Sequence, residues 1–282
     1  RREVGTLLEE ISMRFVKMLI VSGAFLGMPL ASTASDCPRS EPRDATLDAA
    51  GATTLRVEAE AGILMIRGTS GLTEVRVQGK ACAPDKDVLD EIELRTDRRG
   101  NTLYIEVEIP DGNWRRNSPY LDLEIEVPEY ILLDVEDGSG SVKIEGVRGL
   151  ELEDGSGDIL IHNIAEDIEI VDGSGELEVT DVGGRIRLND GSGSLEIEHV
   201  GGPVSIEDGS GEITVRDTEA GVEIVEDGSG SIELDHIGGD VLVQEDGSGS
   251  IRAEHVAGDF IVERDGSGGV TFNHIEGDIK VP

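Results

Sequence analysis

The tetrapeptide Asp-Gly-Ser-Gly returns eight times, beginning at Asp137, Asp154, Asp172, Asp190, Asp208, Asp227, Asp246 and Asp265. Successive copies are 17, 18, 18, 18, 19, 19 and 19 residues apart. A short, regular period points to a stacked repeat architecture, in which each unit covers the apolar layer of its neighbour. Counted from each Asp, the fifth and seventh residues are pairs such as Val142/Ile144, Leu177/Val179 and Ile232/Leu234. The tenth is apolar in every unit but one, and a second pair, such as Ile168/Ile170 or Val204/Ile206, closes the unit. Of these 40 positions only Thr218 is not apolar.

Alternation with a period of two means strands, so each unit holds two short strands and two turns. An antiparallel meander would give no reason for every unit to repeat the same turn chemistry. Coils stacked about 4.8 Å apart, each strand parallel to its equivalent, do give that reason. The expected fold is all-β: a single-chain parallel β-solenoid, or β-helix, of about eight 17–19-residue coils, a rod of about 38 Å. Right-handed coiling is the default for parallel crossovers. The extra residue of the 19-residue units falls just before the Asp, as in Val225-Glu226, so the chain bends there and strand parity does not give the direction of the Asp side chain.

Ahead of the repeats, Thr54–Glu60, Ile63–Arg67, Thr73–Gly79, Thr102–Ile109, Tyr120–Val127 and Ile131–Val135 also alternate, and Asp85–Glu91 reads as one short helix. Residues 36–134 are therefore an irregular N-terminal β region, supplying first coils and a cap, and residues 135–282 are the solenoid. At the start, Met13–Lys17 is basic, Met18–Leu30 is a mostly apolar run, and Ser32-Thr33-Ala34 offers small residues for cleavage. Residues 13–34 thus read as a signal peptide, too short to span a bilayer, and residues 1–12 as an upstream, non-native segment. The expected location is outside the cytoplasm: periplasm, cell surface or secreted, with no transmembrane segment in the mature chain. There Cys37 and Cys82 are candidates for a disulfide.

The charge balance is 24 basic against 60 acidic residues, a net −36. Such a chain repels phosphate backbones, which excludes nucleic acid as a partner. Two cysteines cannot make a four-Cys zinc site. The eight repeat Asp residues read as solvated turn carboxylates, with Gly supplying a positive φ. Calcium relieving the repulsion along their stack is the alternative, although the calcium β-roll nonapeptide is missing. His199, His236, His255 and His274 share a column with Gly146, Asn163, Asp181 and Asp217. These residue types tolerate the left-handed region, so the column reads as a turn and no metal site is assigned. No catalytic or cofactor-binding residue stands out, since no carboxylate or Ser differs from its copies. Trp114-Arg115-Arg116, near Arg95, Arg98 and Arg99 in sequence, reads as a solvated loop, with a contact patch as the alternative. Val270, Phe272, Ile275, Ile279 and Val281 have coil neighbours on one side only, which suggests a docking face or an end-to-end contact between copies.

The signal, the alternating N-terminal region and the Gly-Ser-Gly-punctuated strands together resemble the bacterial "putative adhesin" β-strand-repeat family, over roughly residues 50–282. The resemblance implies a β-solenoid of the cell envelope with a surface or adhesion-like role. The leading functional expectation is an exported, non-enzymatic protein with an acidic binding or scaffolding surface for an envelope component. The alternatives are a calcium-dependent structural repeat protein and a polysaccharide-acting β-helix enzyme.

Overall fold

The computed structural model describes residues 37–112, 114 and 117–282. The segments read as upstream sequence and export signal lie outside the described residues, as do Arg115 and Arg116.

Two long sheets run the length of the stack, and every repeat unit gives one strand to each. Strand Ile168–Asp172 pairs in parallel with Gly149–Asp154 and Ile186–Asp190. The next strand, Gly175–Val182, pairs in parallel with Ile159–Ile164 and Gly193–Val200 in the other sheet. The register places like on like: Leu177 opposite Leu195, Val179 opposite Ile197, Val182 opposite Val200. The repeats therefore form a parallel β-solenoid. Its core is the apolar columns of the sequence, with Ile161, Val179, Ile197, Val215 and Leu234 fully buried. Thr218, the exception, is buried and donates its hydroxyl to the Ala220 carbonyl at 2.9 Å, so no polar atom is stranded.

Residues 37–134 contribute β1 (Arg39–Pro42), β2 (Ala45–Asp48), β3 (Thr54–Glu58), β4 (Leu64–Thr69) and β5 (Glu74–Ala83). Helix α1 (Lys86–Glu91) comes next, then β6 (Glu93–Arg99), β7 (Thr102–Glu108) and β8 (Tyr120–Pro128). The first repeat opens with β9 (Leu132–Asp137) and β10 (Val142–Glu145). Stacking order here is not chain order. β3 lies between β9 and β7, and β4 lies between β10 and β8, all parallel. The β3–β4 coil is thus enclosed by two coils that come later in the chain. Beyond them the parallel stack is closed by antiparallel pairing: β5 on β8, β1 and β2 on β5, and β6 on β7. Reversing strand direction stops the parallel ladder from continuing and blunts a sheet edge. Asp85 caps α1 by accepting from the Val88 N–H at 3.1 Å. Arg43 answers at the other end, donating to the carbonyls of Leu89 and Ile92. Cys37 and Cys82 are joined by a disulfide with their Cα atoms 5.7 Å apart, beside the β1–β5 pairing.

Candidate functional site

The repeat Asp residues do not point to solvent. In strand Ile168–Asp172, Ile168, Ile170 and Asp172 are buried while Glu169 and Val171 are exposed. Asp is simply the third inward residue of its strand. Each Asp pairs with its equivalent in the next coil, from Asp137 opposite Asp154 through to Asp246 opposite Asp265. Asp137, Asp154, Asp172, Asp190, Asp208, Asp227 and Asp246 are only 1–7% exposed, and Asp265 is half-buried. This corrects the expectation of solvated turn carboxylates. The chain does bend before the 19-residue turns, but a bulge absorbs the extra residue. Ile206 pairs with Ile224, Glu207 skips Val225 to pair with Glu226, and Asp227 again faces Asp208. In the β3 coil the next residue after Glu58 is Ala59, whose N–H donates to the Glu136 carbonyl, so the carboxyl column ends there on a methyl group.

Backbone donors reach some of these carboxyls. The Ser174, Ser192 and Ser210 N–H groups donate to one oxygen of Asp172, Asp190 and Asp208, each at 3.2 Å. The second oxygen of each meets no backbone or neutral donor. Its nearest polar company is the carboxyl one coil away, about 4.8 Å along the stack. Adjacent buried carboxylates cannot all ionise, so protons are shared along the row. Burial first, then the charge of neighbouring Asp residues, raises Asp190 and Asp227 to about 7. Asp154 also rises to about 7, through burial and then through Asp137. Burial also raises Asp137, Asp172, Asp208 and Asp246, while a hydrogen bond from a protonated neighbour holds each of them down. Proton-holding and proton-accepting members therefore alternate. Chemically, this is a proton-sharing spine inside the core. Its oxygens are closed to any substrate that does not first part the coils.

The turn after each Asp is set by close approach. A Cβ on Gly155, the first glycine of its turn, would lie 2.5 Å from the Gly138 carbonyl oxygen. The second glycine is tighter still, and at Gly140, Gly157, Gly175, Gly230 and Gly249 it has φ between 138 and 159°. The positive φ thus belongs to the second glycine, not to the one directly after Asp.

The opposite corner carries the histidine column. Asn163, Asp181, His199, Asp217, His236, His255 and His274 all have φ between 51 and 58°, the left-handed turn. The rings of His236, His255 and His274 stack, with centroids 4.5 and 4.9 Å apart. The arginines near Trp114 are individually engaged. Arg95 pairs with Glu93 and Glu108, Arg98 donates to the Asp48 and Ala50 carbonyls, and Arg99 pairs with Asp97 and lies over the Tyr104 ring. Phe260 is fully buried, its ring 5.9 Å from that of Phe272, which is 42% exposed. The concavities among the described residues are open grooves along the coil corners, such as that lined by Leu150, Ile168 and Arg187.

The two parallel sheets, the near-invariant coil and its glycine-tight turns define a single-chain repeat solenoid with an internal carboxyl row. The chain belongs to the Toastrack DUF4097 family, whose model matches residues 89–282. Two solved structures are similar at 15% identity. One, a "putative cell adhesion protein" from Clostridium sporogenes, is matched over 86% of this chain and 99% of that one, with a TM-score of 0.33. The other, a "putative adhesin" from Bacteroides fragilis, is matched over 86% and 96%, with a TM-score of 0.40. No curated protein matches the sequence. Among the described residues no helix is long and apolar enough to cross a membrane.

Proposed function

We propose that this chain is an exported, non-enzymatic rod that gives an adhesin-like acidic binding or scaffolding surface in the cell envelope. The observation that supports it best is the uninterrupted stack. Eight successive units repeat one coil with at most one extra residue, so no loop builds a cleft over either sheet. Binding then rests on repetition of outward groups. From Glu136 onward there are 36 acidic and 8 basic residues, and the outward positions of both sheets are mostly Glu and Asp. A surface of that kind selects a cationic face on its partner. The Cys37–Cys82 bridge supports an oxidising compartment, in line with residues 13–34 acting as an export signal. On this reading, residues 36–134 form the cap region and residues 135–282 the display rod. Self-association through the exposed Phe272 and Ile279 is the homotypic variant of the same role.

Fractionation of cells producing the full chain tests the export half, with thiol titration under denaturing conditions as its second step. The expected product is cleaved near Ala34, lies outside the cytoplasm and has no free thiol. Full-length cytoplasmic protein with two reactive thiols would overturn it. Affinity capture from an envelope extract tests the binding half. A salt-sensitive envelope partner, or the chain itself, is expected; hydrolysis of envelope polysaccharide by the captured complex, lost on denaturing this chain alone, would replace the reading with an enzymatic one.

A further inference from the structure

On the histidine corner one coil differs from the rest. The residue just before the corner is Thr180, Glu198, Arg216, Asp235 and Glu254 in successive coils. Asp235 is the short carboxylate of that set, and it is half-buried at the foot of the stacked rings. Its Oδ1 lies 3.0 Å from His236 Nδ1 and 2.8 Å from His255 Nδ1. The three ligand atoms all lie within 4.8 Å of one another. No lysine or arginine claims this carboxylate. Arg216 is occupied by Glu196 and Glu198, and Arg252 by Glu254. Elsewhere on the corner the same residue types fail to close. His199 is 3.8 Å from Asp181 and 4.0 Å from Asp217, and His162 bonds the Thr180 hydroxyl at 2.8 Å.

We infer that Asp235, His236 and His255 form a surface site for a divalent transition-metal ion of the zinc type. Two imidazole nitrogens and one carboxylate oxygen, completed by water, are a donor set that such an ion takes at about 2.0–2.2 Å. Imidazole donors select zinc, nickel or copper over calcium and magnesium, which prefer all-oxygen sites. The geometry needs little change. Both rings are about half exposed, with side-chain exposures of 57 and 44%, and they turn freely about a backbone fixed by its left-handed corner. The ion would sit where the two Nδ1–Oδ1 contacts now converge. His274, whose ring is 4.9 Å from that of His255, is the next donor along the stack. The acidic rod raises the local concentration of any cation that approaches.

The site is independent of export and of any envelope partner, so its test is a direct titration. Chelator-treated, untagged full chain is titrated calorimetrically with Zn2+ and Ni2+, with Ca2+ and Mg2+ as controls. About one Zn2+ per chain is expected, with affinity at least tenfold weaker in both D235N and the double variant H236N/H255N. Asparagine is the right replacement, because Asn163 already holds this corner at φ 58°. Unchanged circular dichroism and thermal midpoint of the metal-free variants report an intact fold. H199N, on the same corner but outside the cluster, should bind as the wild type does. The inference is overturned if the wild type takes up no Zn2+, if H236N/H255N binds equally well, or if H199N weakens binding as much.

Discussion

A carboxyl group between two others inside a sheet stack must hold either a charge or a proton, and burial favours the proton. Asp190, raised to about 7, is the clearest case. In the unfolded chain it would titrate near 3.9. The stability it contributes is therefore complete below about pH 4 and is lost as pH rises through about 7. In the variant D190N, the amide keeps an oxygen for the Ser192 N–H and offers donors to Asp172 and Asp208 without a charge. We expect it to be more stable than wild type by about 1–3 kcal/mol at pH 8, with that advantage gone at pH 4.5. Urea unfolding at the two pH values measures the difference; an equal effect at both would show that Asp190 does not titrate with folding. The period of these residues is plain in the sequence, but their direction is not. An extra Val225 before Asp227 looks like a corner, and only the pairing of Glu207 with Glu226 shows that a bulge keeps the carboxyl inward. The histidine column was legible as a left-handed turn, because Asn, Asp and His share that tolerance. The meeting of Asp235 with two of its rings was not, since it depends on side-chain rotamers on neighbouring coils.

The Asp-Gly-Ser-Gly element is held by contacts between backbones rather than by turn preference alone. A Cβ on Gly211 would lie 1.5 Å from the carbonyl oxygen of Gly193, whereas one on Gly269 would meet nothing within 4 Å. Both glycines belong to strands of the same sheet, so they separate close approach from intrinsic propensity. Gly211→Ala should cost about 3 kcal/mol or more, because the coils must part, and Gly269→Ala should stay within about 0.5 kcal/mol. Thermal melts of the two variants compare them; similar losses would mean that general strand propensity, not coil spacing, dictates the glycine. From sequence the glycine column was visible, and the strand pairs around it were placed to within a few residues. The cause was not visible, because the atom that forbids a side chain belongs to a carbonyl 18 residues away.

For the molecule as a whole, the carboxyl row and the outer charge act in the same direction. Asp154, Asp190 and Asp227 each take up a proton on folding over the range from about pH 4 to about 7. Over that range stability falls with rising pH by up to about 1.4 kcal/mol per unit for each proton taken up. Protonating outer carboxylates also relieves repulsion between stacked coils, and salt screens that repulsion. Asp97 works the other way: backbone and side-chain hydrogen bonds from Arg98 and Arg99 hold it low. Burial works to raise Asp235, but His255 and His236 outweigh it and leave it low. Both are outnumbered by the row. We therefore expect the thermal midpoint at fixed ionic strength to be higher at pH 5 than at pH 8, with moderate NaCl narrowing the gap but not closing it. A maximum near pH 8 would contradict the proton-sharing row. Architecture at this scale was legible in the repeats, whose period leaves one stacking solution. The N-terminal threading was not, because alternation marks β3 and β4 as strands without saying which later coils flank them.

That threading has a bearing on time. A chain is made from its N-terminus, yet its earliest coil, residues 54–69, is second in the stack and stays bare on both faces at first. One face waits for residues 102–128 and the other for residues 132–145. Until about half of the sequence exists, there is no finished layer to build on. Past that point the situation reverses: each new stretch of 18 or 19 residues meets a complete template and needs nothing from residues still to be made. Birth of the rod is thus one slow closure and then orderly lengthening, and the interval of greatest exposure to misassembly lies in its first half.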